Sequence, residues 1–424
     1  MTHAILGAGA VGGLLGALLA DRGEDVTVVV RDAAEAFPKR LSLQRLDGSV
    51  LGGDVQAVKS VNKDNAVDVL WVATKAMDLS EALIAVRGSS PRIVVPLLNG
   101  FEHIQELQTA FPSDAVIPAT IAVEVERGEP GSVRVHSSFI RLRIGARAKP
   151  MLFALADALR AQGIDIEFED DETTLLWRKL AFLAPFALAT SASGLPAGML
   201  RVDPNWRKRF EIAAAEVVAV ASAEGAVLEP DIAAGMLESL RDQMRSSMAK
   251  DIAARREPEL DAIGVAVIRA AVRHNIDVPM LRYLAAAVSD TVKKAIHSTN
   301  APRPLGPYSQ AIEIGGLVFF SGQLAVDFVT GEVVGDDIGA QVRKALTNLG
   351  AVVEAAGMTY DDIVKTTVFL TEMEDYFETF NTEYSAFFPN KPPARTTVAV
   401  KALPRGSMIM IDAVGVRNAT SRSS

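Results

Sequence analysis

Hydrophobic and polar positions follow several periods along the chain, and each period predicts a different kind of structure. Residues 1–30 give an apolar strand, a glycine turn, an Ala/Leu-rich helix and a second apolar strand. Short apolar runs at 67–76 and 92–100 end in polar residues, which is typical of buried parallel strands whose carboxyl ends meet at a site. Strand patterns pair around a turn at Gly128–Gly131, so antiparallel strands are expected over residues 115–147.

The pattern changes character in the later part of the chain. From about residue 151 to 296 it is almost wholly helical and rich in Ala, Leu, Glu and Arg. A polar, proline-rich stretch at 297–307 is typical of a linker. Strand patterns and two helical patterns follow, which predicts a compact α+β unit, and residues 418–424 are expected to form a disordered tail.

Composition narrows the classes of function. The chain has 424 residues, of which 49% are apolar, so it is long enough for two or three domain cores. Its net charge of −9 argues against nucleic acid or an anionic membrane as a partner. With no cysteine and five scattered histidines, neither a disulfide nor a metal site is expected. No apolar run reaches membrane-spanning length and no basic leader opens the chain, so a cytoplasmic protein is expected.

A glycine motif supplies the first candidate site. The segment Gly7-Ala8-Gly9-Ala10-Val11-Gly12 follows an apolar strand and opens a helix, so its backbone can approach a pyrophosphate at a helix N-terminus; a packing turn without ligand is the alternative. Arg31 stands 19 positions after Gly12, where an NAD-preferring site carries an acid. A guanidinium there favours the 2′-phosphate of NADPH, and a solvated pair of Arg31 with Asp32 is the alternative.

Over residues 1–296 the sequence resembles the ketopantoate reductase family. Six segments carry the resemblance in order: ILGAGAVGGLLG, ATKAMD, LLNGFEHI, WRKLAF, SSMAKDI and EPELDAIGVAVIRAA. The resemblance implies an α/β Rossmann domain followed by an all-α helical domain, with the active site in the cleft between them. It also implies NADPH-dependent reduction of a 2-oxo acid to a 2-hydroxy acid.

The same resemblance implies roles for individual residues. The cofactor would contact Gly7, Gly9, Gly12, Arg31, Lys75 and Asn99; catalysis would use Lys179 as the general acid with Asn99 and Glu259; the substrate would contact Ser247 and Glu259. The chemistry is coherent, because hydride addition to a carbonyl builds negative charge on oxygen that an ammonium group neutralises. Taken alone, Lys179 would be an ordinary surface lysine, but its apolar neighbours Trp177 and Leu180 argue against a solvated face.

One helix departs from the family pattern. Family members usually carry asparagines four and eight residues after the catalytic lysine, on the same side of the helix. Here those positions hold Leu183 and Ala187, and Pro185 between them is expected to kink the helix. A less hydroxylated 2-oxo acid than ketopantoate, or an imine, would suit this apolar wall better.

Residues from about 300 to 417 resemble a second family, the Rid enamine/imine deaminases. The segments that carry it are GPYSQA, FFSGQLAVD, TGEVV, VKTTVFLTEMEDYFETFN, PPARTTVAV and ALPRGSMIMIDAVGV. Members are usually free-standing chains, so this chain is expected to be a fusion. The resemblance implies an α+β, chorismate-mutase-like fold with a sheet backed by two helices, and three subunits with ligand clefts between them.

The Rid resemblance implies a second set of site residues. Arg395 would pair with the carboxylate of a 2-imino or 2-enamino acid, and Tyr308, Gly322 and Asn381 would line the cleft. A surface ion pair for Arg395 and simple packing for Tyr308 are the alternatives. Where active deaminases carry a glutamate that positions water, this chain has Met410, and Asp412 follows on the same face of the strand.

These observations predict a domain order and a function. We expect an NADP-binding Rossmann domain at 1–168, a helical substrate and dimerisation domain at 169–296, a linker at 297–306 and a Rid-type trimerising domain at 307–417. The expected activity is NADPH-dependent reduction of a 2-oxo acid. Two alternatives stay open: an imine reductase that receives its substrate from the Rid domain, and a reductase whose Rid domain is only a trimerisation scaffold or metabolite sensor.

Overall fold

A computed structural model describes residues 1–31, 34–63 and 65–417. The chain divides into two compact units, Met1–Ala286 and Ala287–Ser424, and each is described by itself. Asp32 and the tail predicted at 418–424 lie outside the described residues.

The first unit contains three sheets in its described residues. Its strands are β1 Thr2–Leu6, β2 Asp25–Val29, β3 Arg40–Gln44, β4 Val50–Asp54, β5 Gln56–Val58, β6 Val69–Val72, β7 Ile93–Pro96, β8 Ala119–Ala122, β9 Val125–Arg127, β10 Ser132–Val135, β11 Arg141–Gly145 and β12 Asp165–Glu169. The central sheet is parallel in the order β5-β2-β1-β6-β7, and the others have the orders β4-β3-β10-β9 and β12-β11-β8. The pairs β9–β10 and β8–β11 are antiparallel, which confirms the antiparallel strands predicted for 115–147.

Helices follow the strands and then dominate. They are α1 Ala10–Asp21, α2 Leu79–Leu83, α3 His103–Ala110, α4 Lys149–Arg160, α5 Glu172–Ser193, α6 Ala197–Val202, α7 Pro204–Ala223, α8 Ile232–Ser239, α9 Ser247–Ala253, α10 Ala266–Arg273 and α11 Pro279–Ser289, with a π-helical turn at Asp261–Val265. This order confirms the predicted Rossmann domain followed by helices. Helix α5 begins at the Asp171 cap, continues through Pro185 as one element and ends before Gly194.

The parallel sheet is buried on both faces, as its continuous apolar runs predict. On one face Ile5, Trp71 and Val95 pack in a core that also takes in α1 and the neighbouring sheets. On the other face Leu70 and Val94 pack in a second core. The carboxyl ends of β1, β6 and β7 therefore meet at one edge of a rigid sheet, where polar side chains can be held in fixed positions.

The second unit is an α+β fold. Its strands are β13 Lys294–Ile296, β14 Ala311–Ile314, β15 Leu317–Leu324, β16 Ile363–Leu370, β17 Ala394–Ala399 and β18 Ile409–Val416, in the sheet order β13-β14-β15-β18-β16-β17, and its helices are α12 Ile338–Ala355 and α13 Met373–Phe387. Both helices pack on one face of the sheet over a core that includes Phe320, Leu346, Phe380 and Ile411. This confirms the predicted sheet backed by two helices. The strand β13, which precedes the predicted boundary at 296, belongs to this sheet.

The described residues also bear on membrane and metal binding. Within residues 1–31, 34–63 and 65–417, no helix is long and apolar enough to cross a membrane. Across the same residues, no group of three His, Asp or Glu side chains is placed to hold a metal ion.

Candidate active site

The turn between β1 and α1 has the geometry of a phosphate cradle. Gly7 has a φ of 105°, and a Cβ there would lie 2.8 Å from the backbone of Ala73. A Cβ on Gly12 would lie 1.9 Å from the Gly7 carbonyl oxygen, so the helix can approach the turn only with glycine at this position. Gly9 is different: a Cβ there would have its nearest neighbour 3.9 Å away. A ligand can therefore reach the backbone amides of Ala8, Ala10 and Val11 at the start of α1 from the open side of Gly9.

A cavity of about 220 Å³ opens beside this turn. Its walls include Ala8, Gly9 and Gly12 on one side and Phe37, Arg127 and Gly131 on the other. The backbone amides of the turn thus adjoin a cavity in the same unit.

Arg31 lies just beyond the end of β2 and its side chain is exposed. Its guanidinium donates to the Asp78 carboxylate, with 3.2 Å between Nη2 and Oδ1, and its Nε lies 3.9 Å from a Glu81 oxygen. The predicted 2′-phosphate residue is therefore next to two carboxylates that the sequence reasoning did not consider.

Lys75, at the carboxyl end of β6, contacts the helical part of the unit. Its Nζ donates to Asp251 Oδ2 over 2.9 Å and to the Glu257 carbonyl oxygen over 3.1 Å. Asp251 is buried in α9 and also accepts a bond from Arg256 Nε at 2.8 Å. Asp251 lies within the quoted SSMAKDI segment, yet 176 positions separate it from Lys75, so only the fold reveals the pair.

Two residues predicted for the active site, Asn99 and Glu259, are hydrogen-bonded to each other. The Asn99 amide, just after β7, donates to Glu259 Oε2 over 3.0 Å, and Glu259 is 8% exposed. Gly100 has a φ of 89°, and a Cβ there would lie 2.4 Å from the carbonyl oxygen of Ala262. The chain after β7 therefore packs directly against the π-helical turn that follows Glu259, an irregularity that often marks functional sites.

Lys179 faces the same pair from α5. Burial lowers the pKa of this partly buried lysine to about 8, while the negative charge of Glu259 opposes the fall. The ring of Trp177, one half-turn earlier, packs 4.8 Å from the ring of Phe101. A lysine in this environment can hold and release a proton near neutral pH.

His103 is a buried residue of this region that the sequence reasoning missed. It is the first residue of α3, four positions after Asn99, and it is 5% exposed. Burial, and secondarily the Lys179 ammonium, lower the pKa of His103 to about 3, so its ring is neutral. Neither ring nitrogen has a hydrogen-bond partner among the described residues. The histidine was visible in the LLNGFEHI segment, but nothing in the sequence marked it as buried.

The remaining predicted residues of the first unit have mixed positions. Ser247 is exposed at the start of α9, where the neighbouring Ser246 caps the helix and bonds Thr190. Leu183 is partly buried and Ala187 is fully buried, so neither side chain offers a polar group along α5. The structure thus brings Asn99, Lys179 and Glu259 together, whereas Ser247 is exposed at the start of α9.

In the second unit, Arg395 lies over an aromatic shelf. Its guanidinium carbon is 4.8 Å from the Phe380 ring centre and 4.9 Å from that of Tyr384, and Nη2 donates to Asn381 Oδ1 over 2.7 Å. Tyr384 is buried and shares a 2.7 Å hydrogen bond with Thr366. Two of the residues predicted for the Rid site, Arg395 and Asn381, are therefore in contact with each other.

The other predicted Rid positions lie elsewhere on this unit. Tyr308 is 49% exposed, and its hydroxyl accepts a bond from the Leu305 amide. Gly322 faces Met410, whose sulfur would lie 2.6 Å from a Cβ at position 322. Met410 and Asp412 alternate with buried residues along β18, so both lie on the sheet face away from the helices. Arg395 pairs in register with Thr366 and therefore lies on the opposite, helix-bearing face.

Comparison with known families decides the relationship. The family model "Ketopantoate reductase PanE/ApbA" matches residues 3–149, and its C-terminal counterpart matches residues 172–291. The chain belongs to the ketopantoate reductase family. The first unit is therefore called the reductase unit. A crystal structure of a PanE/ApbA family ketopantoate reductase from Ralstonia eutropha is similar to it, with 28% identity and a TM-score of 0.60 over 68% of this chain and 97% of that one.

The second unit belongs to the Rid family. The model "Endoribonuclease L-PSP" matches residues 298–417. Protein DfrA of Myxococcus xanthus is 46% identical over 126 residues, which is 29% of this chain and 95% of that protein. A 2-iminobutanoate/2-iminopropanoate deaminase of Salmonella typhimurium is 46% identical over 129 residues, 30% of this chain and 99% of that protein. The protein is thus a fusion of a reductase unit with a Rid unit.

Proposed function

We propose that the reductase unit uses NADPH to reduce a 2-oxo acid to a 2-hydroxy acid. The observation that carries this proposal is the convergence of Lys179, Glu259 and Asn99 at the ends of parallel strands, in a chain of the ketopantoate reductase family. Lys179, with its pKa near 8, supplies an acid, and Glu259 supplies the opposite charge that keeps the lysine protonated.

The residues present fit a dinucleotide. Gly7, Gly9 and Gly12 leave the cradle open for a pyrophosphate, and Arg31 supplies a guanidinium for the 2′-phosphate. We also assign Lys75 and Asn99 to the cofactor side of the site. When bound, NADPH supplies the hydride; the protein residues orient the substrate and manage the proton.

Lys179 carries the proton step. As the carbonyl carbon accepts the hydride, negative charge grows on the carbonyl oxygen, and the Lys179 ammonium transfers a proton to it. The product is the hydroxyl group, and Lys179 is left as a neutral amine that solvent reprotonates. Asn99 and Glu259 hold each other through their 3.0 Å hydrogen bond and so fix the geometry around the lysine.

Two apolar residues of α5, Leu183 and Ala187, restrict which 2-oxo acids can be bound. Leu183 and Ala187 offer no hydrogen bond there. Ketopantoate carries a hydroxyl group that would face an apolar surface, so we propose a plainer 2-oxo acid, with Ser247 as a further polar contact.

We propose that the Rid unit binds 2-imino or 2-enamino acids through Arg395. The shelf of Phe380 and Tyr384 orients the guanidinium for a bidentate contact with a carboxylate. Hydrolysis of a 2-imino acid gives a 2-oxo acid and ammonia, and the 2-oxo acid is what the reductase unit would consume. The relative named for 2-iminobutanoate and 2-iminopropanoate makes small imino acids the first candidates.

We further propose a homotrimer or larger homo-oligomer in the cytoplasm. Arg395 and Met410 lie on opposite faces of the sheet in one subunit, so a cleft that uses both positions together with Tyr308 and Gly322 needs a second subunit. The acidic, cysteine-free composition supports the cytoplasmic assignment.

One observation favours a second candidate function. Met410 packs on Gly322 where an active deaminase would position water, and a thioether cannot activate water. If the Rid unit binds an imine without hydrolysing it, the reductase unit would reduce that imine to an amine. Asp412, further along the same face, is the carboxylate that could restore hydrolysis.

Product analysis tests these proposals. We expect the full chain with NADPH to convert 2-oxobutanoate to 2-hydroxybutanoate, and Lys179→Ala to lose turnover at least a hundredfold while its NADPH dissociation constant stays within about threefold. Near-normal turnover of Lys179→Ala would contradict the mechanism. Starting from 2-iminobutanoate, hydroxy acid plus ammonia supports hydrolysis followed by reduction, while an amino acid product supports imine reduction. Loss of ammonia release in Asp412→Asn would assign the water to Asp412.

A further inference from the structure

His103 is a buried polar residue whose burial the structure leaves unexplained. Its ring is 5% exposed, and neither nitrogen contacts a donor or acceptor among the described residues. Buried polar groups in native proteins nearly always have partners, because burying them alone is unfavourable. Since burial keeps the ring neutral, it offers one N–H donor and one acceptor lone pair.

The position of His103 points to the reaction centre. It opens α3 four residues after Asn99, whose amide bonds Glu259. Between them Phe101 packs 4.8 Å from Trp177, which lies two residues before Lys179 on α5. The ring is close enough to Lys179 for the ammonium charge to disfavour its protonation. His103, Asn99, Lys179 and Glu259 therefore belong to one cluster.

The two α5 residues that follow Lys179 by about one and two turns are apolar. Leu183 and Ala187 follow Lys179 along α5 and offer no donor to a ligand. The Asn99 amide already gives one of its two hydrogens to Glu259. A 2-oxo acid brings a carboxylate and a carbonyl oxygen, which together need several donors when they leave water.

We infer that His103 is a substrate-binding residue that donates a hydrogen bond from its buried ring to an oxygen of the 2-oxo acid. This inference rests on the proposed reductase function and adds a contact that supplies part of what α5 lacks. Because the ring is neutral, it recognises an oxygen acceptor without adding charge beside Lys179. His103 therefore contributes to the choice of substrate, while Lys179 supplies the proton.

The experiment compares His103→Leu with His103→Gln in the full chain. The leucine variant has no donor, whereas glutamine keeps an N–H donor on a side chain of similar length. The readouts are kcat and KM for 2-oxobutanoate at saturating NADPH, the dissociation constant of oxamate, the dissociation constant of NADPH, and Tm. Oxamate is a non-reducible analogue of a 2-oxo acid, so its binding does not depend on turnover.

We expect His103→Leu to raise the KM for 2-oxobutanoate and the dissociation constant of oxamate at least about tenfold, with NADPH binding unchanged. His103→Gln should stay within about threefold of the unsubstituted protein. His3→Leu is the matched control, because His3 is another buried imidazole, and it accepts a 3.1 Å bond from the Trp71 indole on the far end of the sheet. That control should lower Tm without changing oxamate binding.

Three results would overturn the inference. The first is a His103→Leu protein that binds oxamate and 2-oxobutanoate normally, which would leave the reductase proposal intact. The second is equal loss of oxamate and NADPH binding in both variants with a lowered Tm, which would mean a structural role. The third is an unsubstituted protein that does not bind oxamate. A different outcome separates the two proposals. If the unsubstituted protein binds oxamate, His103→Leu loses that binding, and the unsubstituted protein reduces no 2-oxo acid, the inference stands and the proposed function fails.

Discussion

At the scale of single residues, the structure explains the lysine better than the sequence does. The family resemblance of the WRKLAF segment points to Lys179 as the proposed acid. Only the fold shows that the Glu259 carboxylate acts on Lys179 and that Asn99 is hydrogen-bonded to Glu259. Desolvation and a nearby carboxylate act on the lysine in opposite directions, and desolvation is the larger effect. The result is an amine that titrates within the range in which enzymes work.

The pH dependence of the reaction follows from the direction of this shift. In the proposed mechanism reduction needs the Lys179 ammonium, so kcat/KM for a 2-oxo acid should be level below about pH 8 and fall about tenfold per pH unit above it. Oxidation of the 2-hydroxy acid needs the neutral amine, so its rate should rise with pH and level off above about pH 8. Steady-state kinetics in both directions measure the two limbs.

Glu259→Gln provides the internal check on that assignment. Removing the carboxylate removes the charge that raises the pKa of Lys179, so the falling limb of reduction should move to lower pH. A limb that stays in place, or moves to higher pH, would show that another group titrates.

We propose that coenzyme choice depends on Arg31 and its carboxylate neighbour Asp78. Arg31→Ala should raise the KM for NADPH at least tenfold, about 1.4 kcal/mol, and leave NADH unchanged. Asp78→Asn should instead strengthen NADPH binding, because it removes an anion that competes with the 2′-phosphate for the Arg31 guanidinium. The exposed Arg31–Asp78 ion pair contributes little free energy, so we expect NADPH to bind only about two- to fivefold more tightly. Equal losses for NADPH and NADH in Arg31→Ala would remove Arg31 from phosphate recognition.

Residues that could not be predicted share one physical property. Asp251, Asp78 and His103 all lie in segments that carry the family resemblance, but each has its charged neighbour far away along the chain. Gly7 and Gly12 could be placed in the turn from the sequence because their constraint is local: a Cβ at either position would collide with backbone atoms. Burial and charge interactions between residues distant in sequence leave no comparable pattern in the local sequence.

At the scale of elements, periodicity identified the parallel strands and both helices of the Rid unit. It failed on finer points. The π-helical turn at Asp261–Val265 has no sequence pattern that separates it from α-helix, and it sits where Glu259 enters the site. Strand β13 was overlooked because three residues carry too little periodicity.

The contact between Gly100 and the π-helical turn is the element-scale feature most open to test. Gly100→Ala places a methyl group 2.4 Å from the Ala262 carbonyl oxygen at a φ of 89°, so the loop must shift and the Asn99–Glu259 bond should break. We expect a loss of stability of about 1–3 kcal/mol and of most 2-oxo acid reduction.

Gly163→Ala is the matched control for this change. Gly163 has a φ of 80°, but no atom lies within 4 Å of its Cβ position. It should show the backbone penalty by thermal denaturation and keep full turnover. Equal loss of activity in both variants would mean that stability alone, not the contact, explains the result.

At the scale of the whole molecule, the fusion was predictable because a Pro-rich stretch separates two complete sequence patterns, and both family matches agree with it. The outer face of the Rid sheet was not predicted. Leu317, Phe319 and Val416 are neighbours there, exposed by 39%, 46% and 37%. A contiguous apolar patch of this kind is typical of a surface that another subunit covers.

We therefore expect Phe319→Lys to break the proposed trimer. A charge in the middle of the patch would be buried on assembly at a cost that the interface cannot offset. Light scattering should give a trimer or larger assembly for the unsubstituted chain and a smaller species for the variant. Val227→Lys, at a residue of the reductase unit that is 76% exposed, should leave the mass unchanged. A monomeric unsubstituted chain would contradict the shared cleft and the assigned roles of Tyr308 and Asn381.

The contact between Phe101 and Trp177 also has an optical consequence. All three tryptophans, Trp71, Trp177 and Trp206, belong to the reductase unit, whereas the Rid unit has tyrosines and no tryptophan. Tryptophan emission from the intact chain therefore comes from one half of the fusion. Because Trp177 lies within three residues of Lys179 and against the segment that leads to His103, its emission should respond when a 2-oxo acid enters. Ligands that occupy only the Rid cleft should leave that emission unchanged, so a single unlabelled chain distinguishes occupancy of its two sites.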